Sequence, residues 1–480
     1  MSAQKPFYIT TTLPYLNAKP HVGFAMEIVR ADTIARYKKL LGHEVFFNTG
    51  TDEHGQKIYQ SAIVAGKDTQ AYVDGVAEEF RGLKEKLGLL DELTFIRTTD
   101  EHHKSAAQEF WKRCEDNGFI YKKAYTGLYC VGCELFYTEK DLEDRKCPIH
   151  LTETQQIEEE NYFFKFSAFE KQLLELYASR PDFVVPDFRL KEITTFIEQG
   201  LEDFSISRLK AKMPWGVPVP GDDEHVMYVW FDALTNYIST LGWPEDTDNF
   251  EKFWKNGTPT QYAGKDNLRQ QSAMWQAMLM AADLPNSHQI VINGFINSRG
   301  KKMSKSLGNV INPYDIVEEY GTEALRYYLL RHLHSFEDSD MTMEKFAEAY
   351  NANLANGIGN LASRLLNLGE KNLDTAPEIP EMTIPEDWKQ AIEEYRLDRA
   401  CDIVWRHIGE LDVEIAEKEP YRLVKTDPEA AKEMLREMLV KLYTIARMLN
   451  PILPETSKTI KKLVKVNKKP KQPLFERKDK

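Results

Sequence analysis

Cysteine is scarce: 5 residues in 480, too few for a disulfide framework, which belongs to short, cysteine-dense domains. Three of the five fall between Cys130 and Cys147, a clustering that suits a metal site, and Cys114 and Cys401 are left as ordinary buried thiols. Long apolar runs are missing too, so no segment is expected to span a bilayer. The opening Met1–Pro6 passes at once into a strand pattern, with no charged-then-apolar leader. A cytoplasmic location without a membrane role is expected. There is no basic surplus either. A net charge of −13 argues against indiscriminate coating of nucleic acid, while local basic surface can still hold a shaped RNA. Internal repeats are absent, and the length exceeds what one hydrophobic core organises, so two to four packed units are expected.

What is present has a readable order. From Phe7 to Ala65 the pattern runs strand, polar turn, helix, strand, polar turn, the grammar of a nucleotide-binding βαβ unit. The first turn is Thr10-Thr11-Thr12-Leu13-Pro14-Tyr15-Leu16-Asn17, followed by His21-Val22-Gly23-Phe24 and helical spacing over 25–41. The second is Thr49-Gly50-Thr51-Asp52-Glu53-His54-Gly55. Between 118 and 219 the alternation breaks, which predicts an insertion. Strands are expected again at Val226–Asp232, Thr260–Gly264 and Gln289–Ile292, separated by helices as a parallel sheet requires. A flexible turn follows at Asn297–Gly300. From Met343 the apolar residues keep helical spacing through Leu354, Ile358, Leu361, Leu365 and Leu368, then from Trp388 to Ile452, which predicts a helical bundle interrupted by a loop at Pro377–Pro385. The lysine-rich tail is expected to form a last helix and then disorder. The fold class is thus α/β, a Rossmann-like parallel sheet with an insertion, followed by an all-α bundle. Its expected segments are 1–117 and 220–296 for the two halves of the sheet domain, 118–219 for the insertion, 297–342 for a linking loop region, 343–466 for the bundle and 467–480 for the tail.

His21-Val22-Gly23 stands where a turn meets a helix start, a place whose N–H groups and dipole favour a phosphate, with Gly23 allowing close approach. By itself His21 reads equally well as a helix-start residue. Far along the chain, Lys302-Met303-Ser304-Lys305-Ser306 sets cations on a loop of small residues. Mobile ammonium groups and an imidazole are what attack on the α-phosphate of ATP needs, because negative charge spreads in that transition state.

These two motifs, in this order around an insertion, resemble the paired signatures of class I aminoacyl-tRNA synthetases. Over nearly the whole chain the resemblance narrows to the methionyl-tRNA synthetases, through Thr12-Leu13-Pro14-Tyr15, Gly50–Gly55, Tyr228-Val229-Trp230-Phe231-Asp232-Ala233 and Lys302–Ser306. It implies a methionine–tRNA ligase activity in which the 297–342 region carries the lysine loop and the bundle binds the anticodon. Its implied ATP-binding residues are Thr12, His21, Gly23, Lys302, Ser304 and Lys305, with His21, Lys302 and Lys305 catalytic and Mg2+ accompanying ATP. For methionine it implies Asp52 on the ammonium, and Leu13, Tyr15, Trp230 and Tyr237 around the thioether. Aromatic walls suit a polarizable thioether, and a buried carboxylate suits an ammonium. Plainer readings stand beside these: Tyr15 and Trp230 as core aromatics, Asp52 as a helix cap. Two departures mark a divergent bacterial-type member. Phe24 replaces a second histidine, and Gln270-Gln271 replace an aromatic–histidine pair, with Gln271 a candidate polar contact to the pocket tyrosine. One methylene is worth only ~1–3 kcal/mol in an apolar pocket, so homocysteine is expected to compete.

Cys130-Val131-Gly132-Cys133 and Cys147-Pro148-Ile149-His150 offer two ligand pairs of matching spacing, suited to one tetrahedral structural Zn2+ held by Cys130, Cys133, Cys147 and His150; the resemblance implies a knuckle here as well. In the bundle, Asn360 and Arg364 are four apart and share a helix face. The resemblance implies that this face reads a CAU anticodon on initiator and elongator tRNA, with Tyr421 after Pro420 stacking a base; a surface hydrogen-bonding pair is the plainer alternative. Without an oligonucleotide-binding extension a monomer is expected. The rivals are a cysteine-specific relative and a tRNA-binding protein that has lost catalysis.

Overall fold

The computed structural model describes residues 4–17, 19–131, 135–137, 139, 142, 144–149, 151–303, 309–381 and 384–478. Contacts divide the chain into two units, one of Met1–Pro20, Gly42–Lys84 and Asp91–Ile292, the other of His21–Leu41, Glu85–Leu90 and Asn293–Lys480.

The first unit is built on a six-stranded sheet in the order Thr94–Arg97, Val45–Thr51, Phe7–Thr11, Thr258–Gly264, Gln289–Asn293, Val184–Val185. Phe7–Thr11 is buried along its whole length and pairs in parallel with a neighbour on each side. The chain runs outward from it in one direction and later returns on its other side, which makes the carboxyl end of Phe7–Thr11 a topological switch point, where open α/β sheets bind ligands. Gly50 is demanded by the sheet itself, because a Cβ there would lie 1.8 Å from the Ile96 carbonyl oxygen. Beneath the sheet the core is aromatic: Phe110 stacks on Trp275 at 5.5 Å, and Trp111 meets Phe231 edge-on at 5.3 Å.

Thr258–Gly264 and Gln289–Asn293 lie where strands are expected. Val226–Asp232 does not form one strand. Asp222–Met227 joins a small antiparallel sheet with Ser207–Leu209 and Pro218–Val219, and Val229–Leu234 is a helix. A short apolar run has no period that separates strand from buried helix. Nor is 118–219 wholly an insertion. Its antiparallel sheet (Leu135–Tyr137, Ile120–Cys130, Gln155–Phe164, Phe204–Ser205) is separate, yet Val184–Val185 extends the main sheet by pairing with Ile290 and Val291.

The second unit contains the long helix Val22–Leu40, buried at most positions. Its Arg30 donates to the carbonyls of Leu333, His334 and Ser335. Asp32 is held by Arg36 and Arg326, each at 2.7 Å. The expected turn is the tip of a hairpin: Ile296–Ser298 pairs antiparallel with Lys301–Lys302, and Arg299 and Gly300 both take positive φ, as a two-residue turn requires. From Met343 the elements are helical, including Asn360–Asn372, Leu397–Lys418, Pro420–Thr426, Pro428–Met448 and Pro454–Lys465. Three of these start with proline, whose missing N–H costs nothing at a first turn. The tail corrects the expectation of disorder. The Tyr350 hydroxyl donates to the Glu476 carbonyl at 2.7 Å, Asn351 exchanges two hydrogen bonds with Lys478, and the Phe475 ring meets Tyr350. An aromatic anchor and side-chain bonds to the tail's backbone hold a segment whose lysines alone suggest solvation. Among the described residues no helix is long and apolar enough to cross a membrane.

Candidate functional site

At the switch point the two polar turns continue the pairing of their strands. Tyr15 and Asp52 form a parallel bridge, Asp52 N–H donates to the Pro14 carbonyl at 3.0 Å, and Leu16 N–H to the Asp52 carbonyl at 3.1 Å. Thr12-Leu13-Pro14-Tyr15 and Asp52 are therefore fixed side by side, with Asp52 buried and Leu13 and Tyr15 half-buried.

Tyr237, on the short helix Asn236–Ser239, is buried and fixed at both ends. Its carbonyl accepts from the Tyr8 hydroxyl at 3.0 Å, and its hydroxyl accepts from Gln271 Nε2 at 2.7 Å. Gln271 thus makes the tyrosine contact expected of it, and its Oε1 accepts from Gln261 Nε2 at 2.5 Å. Gln261 is in turn held by Ser287, which donates to its Oε1 and accepts from Gln276 at 3.1 Å, so the side-chain amide of Gln271 is oriented through Gln261 by a buried network; Gln276 also donates to the Gln271 backbone carbonyl at 2.8 Å. Trp230 occupies the first turn of Val229–Leu234, half-buried.

One constellation escaped the sequence reading. Asp232, with no exposure, accepts from two imidazoles: His54 Nδ1 at 2.6 Å and His103 Nε2 at 2.8 Å, and His103 Nδ1 bonds Ser239 at 2.8 Å. Burial pushes the Asp232 carboxyl up, but the two rings more than offset this and hold it at about 2. His54 also lines a cavity of about 460 Å³ with Trp215, Lys104, Gln108 and Lys210. His54 and Asp232 lie inside two of the quoted motifs, Gly50–Gly55 and Tyr228–Ala233, which was the available signal; His103 lies in none. Beside them Glu53 takes two bonds from Arg97 at 2.7 Å each and one from Thr99 at 2.6 Å, which stiffens the turn that carries Asp52.

In the second unit, His21 caps Val22–Leu40. Its Nδ1 accepts from Gly23 N–H at 3.0 Å, which leaves the other ring nitrogen as the protonated donor of a neutral imidazole. Desolvation by the surrounding protein lowers its pKa from the usual imidazole value. A Cβ on Gly23 would come 2.8 Å from the His21 ring, so the glycine makes room for the imidazole. Lys302 pairs through its backbone with Asn297 in the hairpin; its side chain, Ser304 and Lys305 lie outside the described residues.

Cys130 ends one strand of the insertion hairpin, opposite Leu135, and the Cys147 thiol reaches the Tyr137 hydroxyl, two residues along the same partner strand, at 3.6 Å. Both thiols are reduced and buried in one small lobe, a donor set that fits Zn2+. Cys133 and His150 lie outside the described residues, and among those described no group of three or more ligating side chains comes together.

Asn360 and Arg364 are exposed on the first turns of Asn360–Asn372. Tyr421 is 42% exposed in the first turn of Pro420–Thr426. The Glu419 hydrogen bond raises the phenol's pKa, while the Arg364 charge acts on it in the opposite sense, so those two residues share one neighbourhood.

A family model described as tRNA synthetases class I (M) matches residues 7–157 and 139–366. The chain is 39% identical to the methionine–tRNA ligase of Thermotoga maritima over 98% of its own length and 77% of that protein's. Against the Brucella suis methionine–tRNA ligase the identity is 38%, over 96% of this chain and 92% of the other. A solved structure of Mycobacterium tuberculosis methionyl-tRNA synthetase in complex with methionyl-adenylate is similar with a TM-score of 0.89 and 36% identity, covering 95% of this chain and 93% of that one. With two of its motifs at the switch point and its sequence and fold shared across almost the whole length, the chain belongs to the class I methionyl-tRNA synthetase family.

Proposed function

We propose that this chain is a methionine–tRNA ligase that activates L-methionine with Mg-ATP to methionyl-adenylate and pyrophosphate, then transfers the methionyl group to the 3′ end of initiator and elongator tRNA. The observation that carries the reading is the fixed pairing of Tyr15 with Asp52 at the sheet's switch point, in the same unit as a buried tyrosine whose hydroxyl is oriented by an amide. An ammonium needs the carboxylate, and a thioether needs the aromatic walls.

The roles divide by chemistry. Asp52 holds the substrate ammonium, and Leu13, Tyr15, Trp230 and Tyr237 enclose the thioether, with Gln271 setting the tyrosine hydroxyl. Thr12, Gly23 and Ser304 contact ATP. His21, as a neutral N–H donor, and the ammonium groups of Lys302 and Lys305 stabilise charge that grows on the α-phosphate as the methionine carboxylate attacks and pyrophosphate leaves. The terminal ribose hydroxyl of tRNA then attacks the activated carbonyl, and AMP departs. Asn360, Arg364 and Tyr421 read the anticodon. One Zn2+, held by Cys130, Cys133, Cys147 and His150, would close the small lobe as a structural clamp. The protein is proposed to act as a cytoplasmic monomer.

The test is ATP–pyrophosphate exchange with methionine, cysteine, leucine and homocysteine offered separately. Exchange with methionine, and its fall by on the order of a hundredfold or more in Lys302→Ala and Lys305→Ala, is expected. Exchange only with another amino acid overturns the pocket assignment, and normal exchange in both lysine variants overturns the mechanism.

A further inference from the structure

Arg364 does not stand alone on its helix face. One of its terminal nitrogens donates to Asp412 Oδ1 at 2.9 Å, from Asn360–Asn372 to the neighbouring Leu397–Lys418. Both side chains face water, at 41% and 52% exposure, and ion pairs so exposed add little to stability. Val413, next to Asp412, is an exposed apolar side chain at 55%. Tyr421 supplies a half-open ring close enough to feel the Arg364 charge. A cation, an anion and an aromatic surface are thus gathered where water still reaches all three.

We propose that Asp412 is a specificity-determining residue of the RNA-reading face, forming with Arg364 a donor–acceptor edge that accepts a base bearing an amino group, such as cytosine, and rejects its keto counterpart, uracil. The inference rests on the reading of the Asn360–Arg364–Tyr421 face as the anticodon site.

A guanidinium carries only donors and an ionised carboxylate only acceptors. Cytosine offers acceptors at O2 and N3 and a donor at its 4-amino group, so its acceptors suit Arg364 and its amino group suits Asp412. Uracil reverses both polarities, with N3–H in place of the N3 acceptor and a carbonyl in place of the amino group. It would set a carbonyl against the carboxylate and an N–H against the guanidinium, leaving polar atoms unpaired beneath a stacked base. Adenine shares the amino-plus-acceptor edge, so the pair separates amino from keto bases and leaves size to the rest of the face. A carboxylate beside RNA also weakens attraction to any phosphate chain. That is a loss of affinity exchanged for selectivity, the pattern in which a repulsive group rejects the wrong partner. Asp412 further holds the flat guanidinium in place before RNA arrives, so less freedom is lost on binding.

The experiment uses the full chain and two tRNA transcripts that differ only in C or U at the first anticodon position, with aminoacylation kcat/KM measured for each. In Asp412→Asn the shape is kept, but the amide can present either its oxygen or its NH2. The preference for C over U is expected to fall by on the order of tenfold, chiefly through better charging of the U transcript. Methionine-dependent ATP–pyrophosphate exchange without tRNA should stay at the wild-type rate, which also reports intact folding. An unchanged C-over-U ratio in Asp412→Asn overturns the proposal. Arg364→Ala separates the two levels: a raised KM for the C transcript with no change of ratio in Asp412→Asn removes only the role of Asp412, whereas an unchanged KM in Arg364→Ala removes the anticodon reading of this face and the proposal with it.

Discussion

At the scale of single residues, Asp232 has the most at stake. Its folded pKa of about 2 lies below the usual carboxylate value of 3.8, so the folded state binds this proton less readily than the unfolded chain does. The stability it adds is complete above about pH 4 and is lost as the pH falls toward about 2, on the order of 2 kcal/mol in all. Asp232→Asn should flatten that limb of the stability curve, read as thermal midpoints across the acid range; an unaltered limb would assign acid sensitivity to other carboxylates. The sequence displayed both His54 and Asp232 inside motifs, but nothing in it says that side chains 178 positions apart share a proton-bearing bond. The Gln271–Tyr237 contact was legible because a substitution within a family pattern keeps its neighbours. The His103 contact was not, since that residue belongs to no motif and its partner is set by packing alone.

At the scale of elements, the start of Val22–Leu40 joins backbone and chemistry. The His21 ring folds back onto its own helix, and only a glycine at position 23 leaves it room. Gly23→Ala should turn the ring outward. The lost cap costs about 1 kcal/mol, a small change in thermal midpoint, whereas methionine-dependent pyrophosphate exchange should fall by on the order of tenfold or more. Equal exchange rates would separate His21 from the reaction. Strands such as Thr258–Gly264 could be read from the sequence because helical stretches flank a run of the right length. Val226–Asp232 could not, because a continuous apolar run records burial without period. Likewise the lysines of the tail masked the groups that dock it, among them the Phe475 ring against Tyr350 and the Asn351 side chain on Lys478.

At the scale of the whole molecule, the two units were legible as sheet and bundle but not in their membership. Residues 21–41 and 85–90 sort with the later half of the chain. The reason is ionic: Arg326, fully buried, bonds Asp32 at 2.7 Å and donates to the carbonyls of Leu87, Pro451 and Ile452. Arg326→Leu removes the donor of three carbonyls and leaves Asp32 with Arg36 as its cation, so it should cost on the order of 2–4 kcal/mol, measured as a shift in denaturant midpoint; a loss below about 1 kcal/mol would mean that apolar packing replaces the cluster. The same connectivity has a consequence during synthesis. Arg30 leaves the ribosome 305 residues ahead of the Ser335 carbonyl it will bind. At ~5–20 residues per second that interval is about 15–60 s. Throughout it Arg30 lacks the carbonyls that will hold it, so this part of the second unit can close only late in synthesis.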